Sequence, residues 1–348
     1  MDSIGKNIKL TLSGASHAPS VGCVLEGLPC GFKLDMDAVR FDLERRRAGN
    51  YALATPRREA DDLIIVSGIK DGVTDGGPVS VTFPNREHDK NAYSPVARPS
   101  HADYAAWVKS GGAEDISGGG RYSGRMTLPL TFAGSVVRQL LKADGITVFS
   151  HISYIGSVED APFDPVMERA PELDPFFPLV DRTKREPMER LISETRDRGD
   201  TLACGLECAA LGVPAGLGEP LFSGVESTLS RYLFMIPGLR GIDFADMRVL
   251  GSEMNDQFAD GGRTVTNRSF GINGGIANGM PLIVKVRFRP VPSIGLPQTG
   301  YDLIGSKPVP LEIKGRHDTA ILPRGAAAVE AAVCLGLYDL LLDHKRES

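Results

Sequence analysis

The sequence is poor in cysteine, in tryptophan and in unbroken apolar stretches, and each shortage excludes something. Its 348 residues hold five cysteines, Cys23, Cys30, Cys204, Cys208 and Cys334. Cys204 and Cys208 lie four apart with no second ligand pair nearby, so zinc spacing is lacking. All five read as buried free thiols, which suits a reducing cytoplasm. One tryptophan, Trp107, and a net charge of −5 argue against an Arg/Gly-rich RNA binder, which needs a basic surface with exposed aromatics. No apolar run approaches the length of a membrane span, and Met1–Lys6 has no signal-peptide core, so the expected location is cytoplasmic, away from membranes. Walker and strand–GxGxxG–helix patterns are missing, as is a Gly-x-Ser-x-Gly elbow. A hydrolase triad of Ser16, His17 and Asp318 is therefore not expected, since adjacent Ser and His side chains diverge on a strand.

Against this, arginine and glycine concentrate between Arg98 and Arg125. Arg98-Pro-Ser-His101-Ala-Asp-Tyr104 is followed by Gly118-Gly-Gly-Arg121-Tyr-Ser123-Gly-Arg125. Glycines let backbone N–H groups turn inward around an anion, and guanidinium forks hold phosphate or carboxylate by two points. In an acidic chain, that grouping points to a site for a small anionic molecule.

Short alternating runs bounded by Gly, Asp, Asn or Pro read as strands: 8–12, 63–66, 78–83, 148–154 and 282–288. Helical patterns interleave without a regular strand–helix–strand beat, which favours α+β with antiparallel sheets. No low-complexity linker divides the chain, so residues 1–348 read as one domain. Two segments look alike. Gly120-Arg121 precedes Pro129 and an apolar helix with Phe132, Val136, Val137, Leu140 and Leu141. Gly315-Arg316 precedes Pro323 and another with Val329, Val333, Leu337, Leu340 and Leu341. This is either chance or an internal duplication with paired central helices.

Asp35 is suited to cap a helix through Arg47. Met36, Val39, Leu43 and Arg46 then share one face, so Arg46 either points inward to a ligand or joins Arg45 and Arg47 as solvated charges at a helix end. Ser100 and Asp103 resemble a capping box, which would place His101 in a first helical turn where N–H groups favour anions. His101 is then either a structural histidine or a group acting on an anion. His17 falls at a strand end or turn. Gly315-Arg316-His317-Asp318, with Arg324 beyond, sets a carboxylate among basic residues as either a base or a structural ion pair. Gly271–Gly279 reads as a glycine loop before a strand.

Together these segments resemble chorismate synthase over nearly the whole chain. The likeness rests on Gly14-Ala-Ser-His17, Arg45-Arg-Arg47-Ala-Gly49, Thr55-Pro-Arg-Arg-Glu59 and the two pieces between Arg98 and Arg125. It continues through Val213-Pro-Ala-Gly-Leu-Gly-Glu-Pro220, Ile236-Pro-Gly-Leu-Arg-Gly241, Gly274–Gly279 and Gly315–Asp318 with Arg324. The resemblance implies a β-α-β sandwich of central helices between antiparallel sheets, assembled as a homotetramer. It implies non-covalent reduced FMN and a reaction without net oxidation, in which phosphate and a proton leave 5-enolpyruvylshikimate 3-phosphate in 1,4 relation to give chorismate. With no nucleotide fingerprint, the flavin's reduction falls to an external reductase or another source of reduced flavin rather than to NADP chemistry of this chain.

The resemblance also implies roles. His101 protonates the leaving phosphate, His17 protonates the reduced flavin, and Asp318 works with flavin N5 on the substrate proton. Ser16 and Ser123 orient or relay protons. Arg46, Arg98, Arg125 and Arg324 hold the substrate's anionic groups. Arg121, Tyr122, Ser123, Pro237, Gly238, Gly274, Arg289, Pro290, Val291, Pro292, Ser293 and Arg316 line the FMN pocket. Departures from the family pattern are Ala15 for Glu, Ala18 for Gly, Ala52 for an expected arginine, Tyr122 for a serine, and Arg268-Ser-Phe270 within a segment usually rich in Asn and Gly. They leave a second reading, a relative that binds FMN and an anion with weak or no lyase activity.

Overall fold

The computed structural model describes residues 3–47, 60–85, 95–113, 117–245, 249–313 and 318–347. Two antiparallel sheets enclose a helical layer. The first sheet runs, in spatial order, Ser3–Ile4, Lys9–Gly14, Ser20–Glu26, Val79–Pro84, Ile64–Ser67. The second runs Val158–Glu159, Thr147–Ile155, Cys204–Leu211, Leu282–Phe288, Leu239–Asp243. The helices are α1 Met36–Arg46, α2 Asp103–Lys109, α3 Thr127–Ala143, α4 Arg185–Asp197, α5 Val225–Leu233, α6 Gly251–Met254 and α7 Gly325–Glu347. Helix α3 touches strands of both sheets, and α7 packs along α3 and on the second sheet. This is the α+β sandwich expected.

The internal duplication is visible in the topology. One half runs Lys9–Gly14, Ser20–Glu26, α1, Ile64–Ser67, Val79–Pro84, α3. The other runs Thr147–Ile155, Cys204–Leu211, α5, Leu239–Asp243, Leu282–Phe288, α7. In both, the four main strands lie side by side in the order first, second, fourth, third. Helix α1 packs on α3 as α5 packs on α7. The apolar positions expected on the two central helices are all buried.

The helices approach closely because small residues meet where they cross. A Cβ added to Gly134 would lie 2.2 Å from the Ala331 Cβ. Helix α7 also corrects one expectation, since over Gly325–Arg346 it is long and apolar enough to cross a membrane. Nearly all of that stretch is buried in the core. Another correction concerns the cysteines: Cys23, Cys204, Cys208 and Cys334 are buried, but Cys30 is exposed.

The sheets matter to the site because of their ends. Ser20 pairs with Pro84 and Ile64 with Thr82, so the turn after Gly14, residue Asn85 and the segment before Ile64 share one end of the first sheet. In the second sheet Cys204 and Leu239 both pair with Phe288. That brings Pro237-Gly238 and the segment after Phe288 to the equivalent end. A small sheet of Val96–Ala97, Gln298–Asp302 and Lys307–Leu311 delivers Arg98 from its first strand.

Candidate active site

Asp61 organises one part of the site. Its carboxylate is buried, accepts from Arg125, and lies 3.5 Å from Arg46 Nη1. Arg46 also donates from Nη2 to the Gly124 carbonyl at 3.0 Å and from Nε to Thr127 Oγ1 at 3.1 Å. Helix α1 forms as expected, with Asp35 Oδ1 accepting from the Asp37 and Ala38 N–H groups. Val39, Leu43 and Arg46 are buried along one face, so Arg46 takes the inward course. Two guanidinium groups on one carboxylate leave net positive charge, which suits an anionic ligand.

Arg45 corrects the expectation of a solvated charge. It grips Glu330 of α7 through two bonds, at 2.7 and 2.9 Å, with its side chain 9% exposed. Arg47 donates to the Ala60 carbonyl. Arg45 therefore ties helices together, while its neighbour Arg46 reaches Asp61.

Asn85 joins this part to the histidine turn. Its Nδ2 donates to the carbonyls of Ala15, Ser16 and Ala18 at 3.2, 3.3 and 2.7 Å, and its Oδ1 accepts from Arg125 Nε at 2.9 Å. Ser16 and His17 are buried in the turn between the first two long strands. The Ser16 N–H donates to the Gly120 carbonyl at 3.0 Å, which fastens the turn to the glycine segment. Gly119 and Gly120 have φ of +88° and +53°, a backbone that side chains disfavour. A Cβ on Gly119 would sit 3.2 Å from His101 Cε1 and 3.4 Å from its Nε2, so glycine lets the chain pass against that ring. Ser123 Oγ accepts from the Arg125 N–H at 3.2 Å. It thus caps the turn that aims Arg125.

His101 is placed differently from expectation. Helix α2 begins at Asp103, its cap is Ala102, and no side chain caps it. Ser100 has φ +58°, so His101 precedes the helix instead of occupying its first turn. Asp103 faces Arg98 and His101 instead. It accepts from Arg98 Nε at 2.7 Å, Nη2 at 2.9 Å and the Arg98 N–H at 3.1 Å, and lies 2.6 Å from His101 Nδ1. Burial alone would raise its pKa, but hydrogen bonds from Arg98 and then His101 hold the carboxyl well below the usual range.

The second sheet contributes at the same place. Arg98 Nη1 donates to Ser293 Oγ at 3.2 Å, and Arg289 Nη1 donates to the Ser100 carbonyl at 2.5 Å. The Arg289 N–H bonds to the Gly238 carbonyl at 3.0 Å, and Thr201 Oγ1 to the Val291 carbonyl at 2.8 Å. This puts Pro237, Gly238 and Arg289-Pro290-Val291-Pro292-Ser293 beside the 98–103 loop. Gly238, with φ +86°, meets Ile321 from the segment leading to α7. In that segment Asp318 pairs with Arg324. Arg125 and Arg324 stand just before α3 and α7, at equivalent points of the duplication.

Arg121 and Tyr122 are exposed beside Ser123. The Gly271–Gly279 loop before the strand Leu282–Phe288 is itself a small hairpin, turning at Gly274 and Gly275. Its contacts include Glu219, Gly224 and Val225, and a Cβ on Gly274 would meet nothing within 4 Å. Arg316 and Ala52 lie outside the described residues. For a flavin phosphate the donor set fits: Arg289, Ser123 and Ser293 offer cationic and hydroxyl donors, and the positive-φ glycines leave backbone N–H groups free of side chains.

Sequence reasoning missed Asp61, Asn85 and the pairing role of Asp103. Asp61 had one signal, a carboxylate two residues before a predicted strand and close behind an arginine-rich motif.

The protein-family model for chorismate synthase matches residues 8–342. A chorismate synthase of Thermococcus gammatolerans is 41% identical, the alignment covering 98% of this chain and 98% of that protein. One from Dehalococcoides mccartyi is 37% identical over 98% of this chain and 96% of its own. One from Aeropyrum pernix is 39% identical, at 98% and 93% coverage. A crystal structure of chorismate synthase superposes with a TM-score of 0.74 at 22% identity, covering 98% of this chain and 93% of that one, and so shares the fold. With a full-length family match and relatives near two-fifths identical, this chain belongs to the chorismate synthase family.

Proposed function

We propose that the protein forms chorismate in the shikimate pathway, by FMN-dependent anti-1,4-elimination of phosphate from 5-enolpyruvylshikimate 3-phosphate. The observation that supports this is the meeting of two hydrogen-bonded groups at the glycine segment: Arg46, Asp61, Arg125 and Asn85 under the turn that carries His17, and Arg98, Asp103 and His101 with Ser293. Arg46, Arg98, Arg125 and Arg324 neutralise phosphate and carboxylates and fix the ring between them. His101 gives a proton to the departing phosphate. Asp318 takes the proton lost from carbon, while Arg324 holds its carboxylate in place. His17 supplies a proton on the flavin side, and Ser16 and Ser123 orient that exchange. Arg121, Tyr122, Ser123, Pro237, Gly238, Gly274, Arg289, Pro290, Val291, Pro292, Ser293 and Arg316 would hold reduced FMN, which would supply electron density as the phosphate leaves.

Ala15 and Ala18 do not weaken this reading. The turn closes through Ala18 N–H to the Ala15 carbonyl at 3.1 Å and through Asn85, none of which needs the side chains the family usually carries there. The protein acts as one cytoplasmic domain assembled as a homotetramer. Leu221, Phe222 and Phe258 are at least 82% exposed, apolar surface that a neighbouring chain of the tetramer would cover. Light scattering tests the tetramer.

The activity is tested under exclusion of oxygen. Purified protein, FMN and the phosphorylated substrate form chorismate once dithionite is added, and form none with NADPH alone in the dark. Failure with chemically reduced FMN removes the lyase reading in favour of a relative that binds FMN and an anion. Turnover with NADPH alone would show a reductase within the chain.

A further inference from the structure

We propose that Asp103 is the positioning residue of the acid. It decides which nitrogen of His101 carries the transferable proton and holds Arg98 at the same time. The inference rests on the reading of His101 as the proton donor to phosphate.

Its basis is a competition at one atom. His101 Nδ1 lies 2.6 Å from Asp103 Oδ1 and 3.1 Å from Arg98 Nη2. A ring nitrogen cannot donate to one and accept from the other. A carboxylate so strongly favoured in its charged form can only accept, and the charge-assisted bond is the shorter one. Arg98 Nη2 has its own acceptor in Asp103 Oδ1 at 2.9 Å. Nδ1 therefore keeps its hydrogen on Asp103, and proton exchange falls to Nε2.

Nε2 is the nitrogen that faces the glycine segment, 3.4 Å from where a Cβ of Gly119 would be. That segment is fastened to Ser16 and leads into Ser123 and Arg125. The ring is thus oriented with its exchanging nitrogen toward the site and its other nitrogen anchored behind.

A plain structural role does not account for Asp103. It stands at the first residue of α2, where an acid suits the helix dipole. Yet every bond described for its carboxylate goes to Arg98 or His101, and its side chain is 3% exposed. Asparagine at this position keeps the shape but offers Nδ1 a donor as well as an acceptor. With Arg98 also donating, Nδ1 can then lose its hydrogen, and the neutral ring shifts to the tautomer protonated at Nε2.

The test measures Asp103→Asn, Asp103→Glu, His101→Ala and the double variant His101→Ala/Asp103→Asn. The readouts are anaerobic turnover and 15N spectra of histidine-labelled protein, with the His101 signal assigned by its loss in His101→Ala. Expected for Asp103→Asn is a kcat loss of about 10- to 10³-fold, a part of the roughly 10²- to 10⁴-fold that general acid catalysis supplies. Asp103→Glu recovers part of it, and the neutral His101 signal moves from the Nδ1–H toward the Nε2–H pattern. The double variant should be no slower than His101→Ala alone, because Asp103 acts through that ring. An unchanged tautomer, or losses that multiply in the double variant, would overturn the proposal while leaving His101 its role. If His101→Ala itself turns over within a few-fold of the parent, the underlying reading of the acid fails, and this one with it.

Discussion

Replacing Arg45 by methionine tests the charged cluster between α1, α3 and α7. Arg45 holds Glu330 at 2.7 and 2.9 Å and Asp42 at 3.1 Å. Arg138 reaches Glu330 at 2.5 Å and Asp42 at 3.5 Å, and Ser150 Oγ donates to Glu330 at 2.6 Å. Two arginines thus balance two carboxylates where water is excluded. Burial would raise the pKa of Glu330, but Arg45 and Arg138, helped by Ser150, hold it at about 2. Without Arg45 one guanidinium must serve both acids. Breaking a buried pair costs about 3–5 kcal/mol. Arg138 remains, so the lower end, about 3 kcal/mol, is expected. An unfolding entropy near 2.1 cal/mol/K per residue converts that to a Tm loss of about 4 °C for a chain this long.

The pH dependence of that loss has a definite sign. Glu330 has a folded pKa below its unfolded value. Its contribution is therefore complete above about pH 4.3 and disappears as the pH falls toward 2. The gap between parent and Arg45→Met should be full at neutral pH and shrink below about pH 4. Thermal melts across that range check it. A gap near zero at neutral pH, or one that persists unchanged in acid, refutes the cluster's role. The substrate KM of Arg45→Met should stay close to the parent's. Arg46→Met, one residue on, should raise it about 10-fold or more, the worth of a hydrogen bond to a charged ligand. Equal KM changes in both would sink the division of labour on α1.

Gly134→Ala should destabilise by about 1–3 kcal/mol or more, since the new methyl would overlap Ala331; an unchanged melting temperature would mean the central helices part easily. Asp318→Asn should retain FMN affinity while turnover falls strongly, and a joint loss of both would make Asp318 structural. His151, buried between Asp160 at 2.9 Å and Glu207 at 3.1 Å, has its pKa lowered by burial but raised overall by those two carboxylates. Its stabilisation is complete below about pH 6.5 and fades as pH rises through the folded value. His151→Gln should therefore flatten the alkaline limb of the Tm profile, and an unaltered limb would contradict the pairing.

Some elements could be read directly because their pattern is local. The alternation in 78–83 gives the strand Val79–Pro84, whose side chains alternate between buried and half-buried. The three–four–three spacing of Met36, Val39, Leu43 and Arg46 gives α1 and the inward course of Arg46. The strand Cys204–Leu211 is not legible in the sequence, because it is buried on both faces and shows no alternation. Small residues such as Gly205, Ala209 and Ala210 carry little strand preference by themselves. The 100–103 segment misled for a related reason. A serine three before an aspartate is compatible with a helix cap, but Asp103 finds two stronger donors in Arg98 and His101.

The sequence by itself determined which residues are chemically able to act, because side-chain type and short-range spacing are local properties. It marked His17, His101, Asp318 and the arginines, and it contained the duplication in its two glycine–arginine–helix segments. Only the tertiary structure decided which charge meets which. Arg45 and Arg46 are adjacent in sequence, yet one reaches Glu330 and the other Asp61. That outcome depends on where α7 and the segment before Ile64 arrive, and on burial, which makes an unpaired charge too costly to leave. Counter-charges as far apart as residues 45 and 330 carry no mutual signal along the chain until folding excludes the water between them.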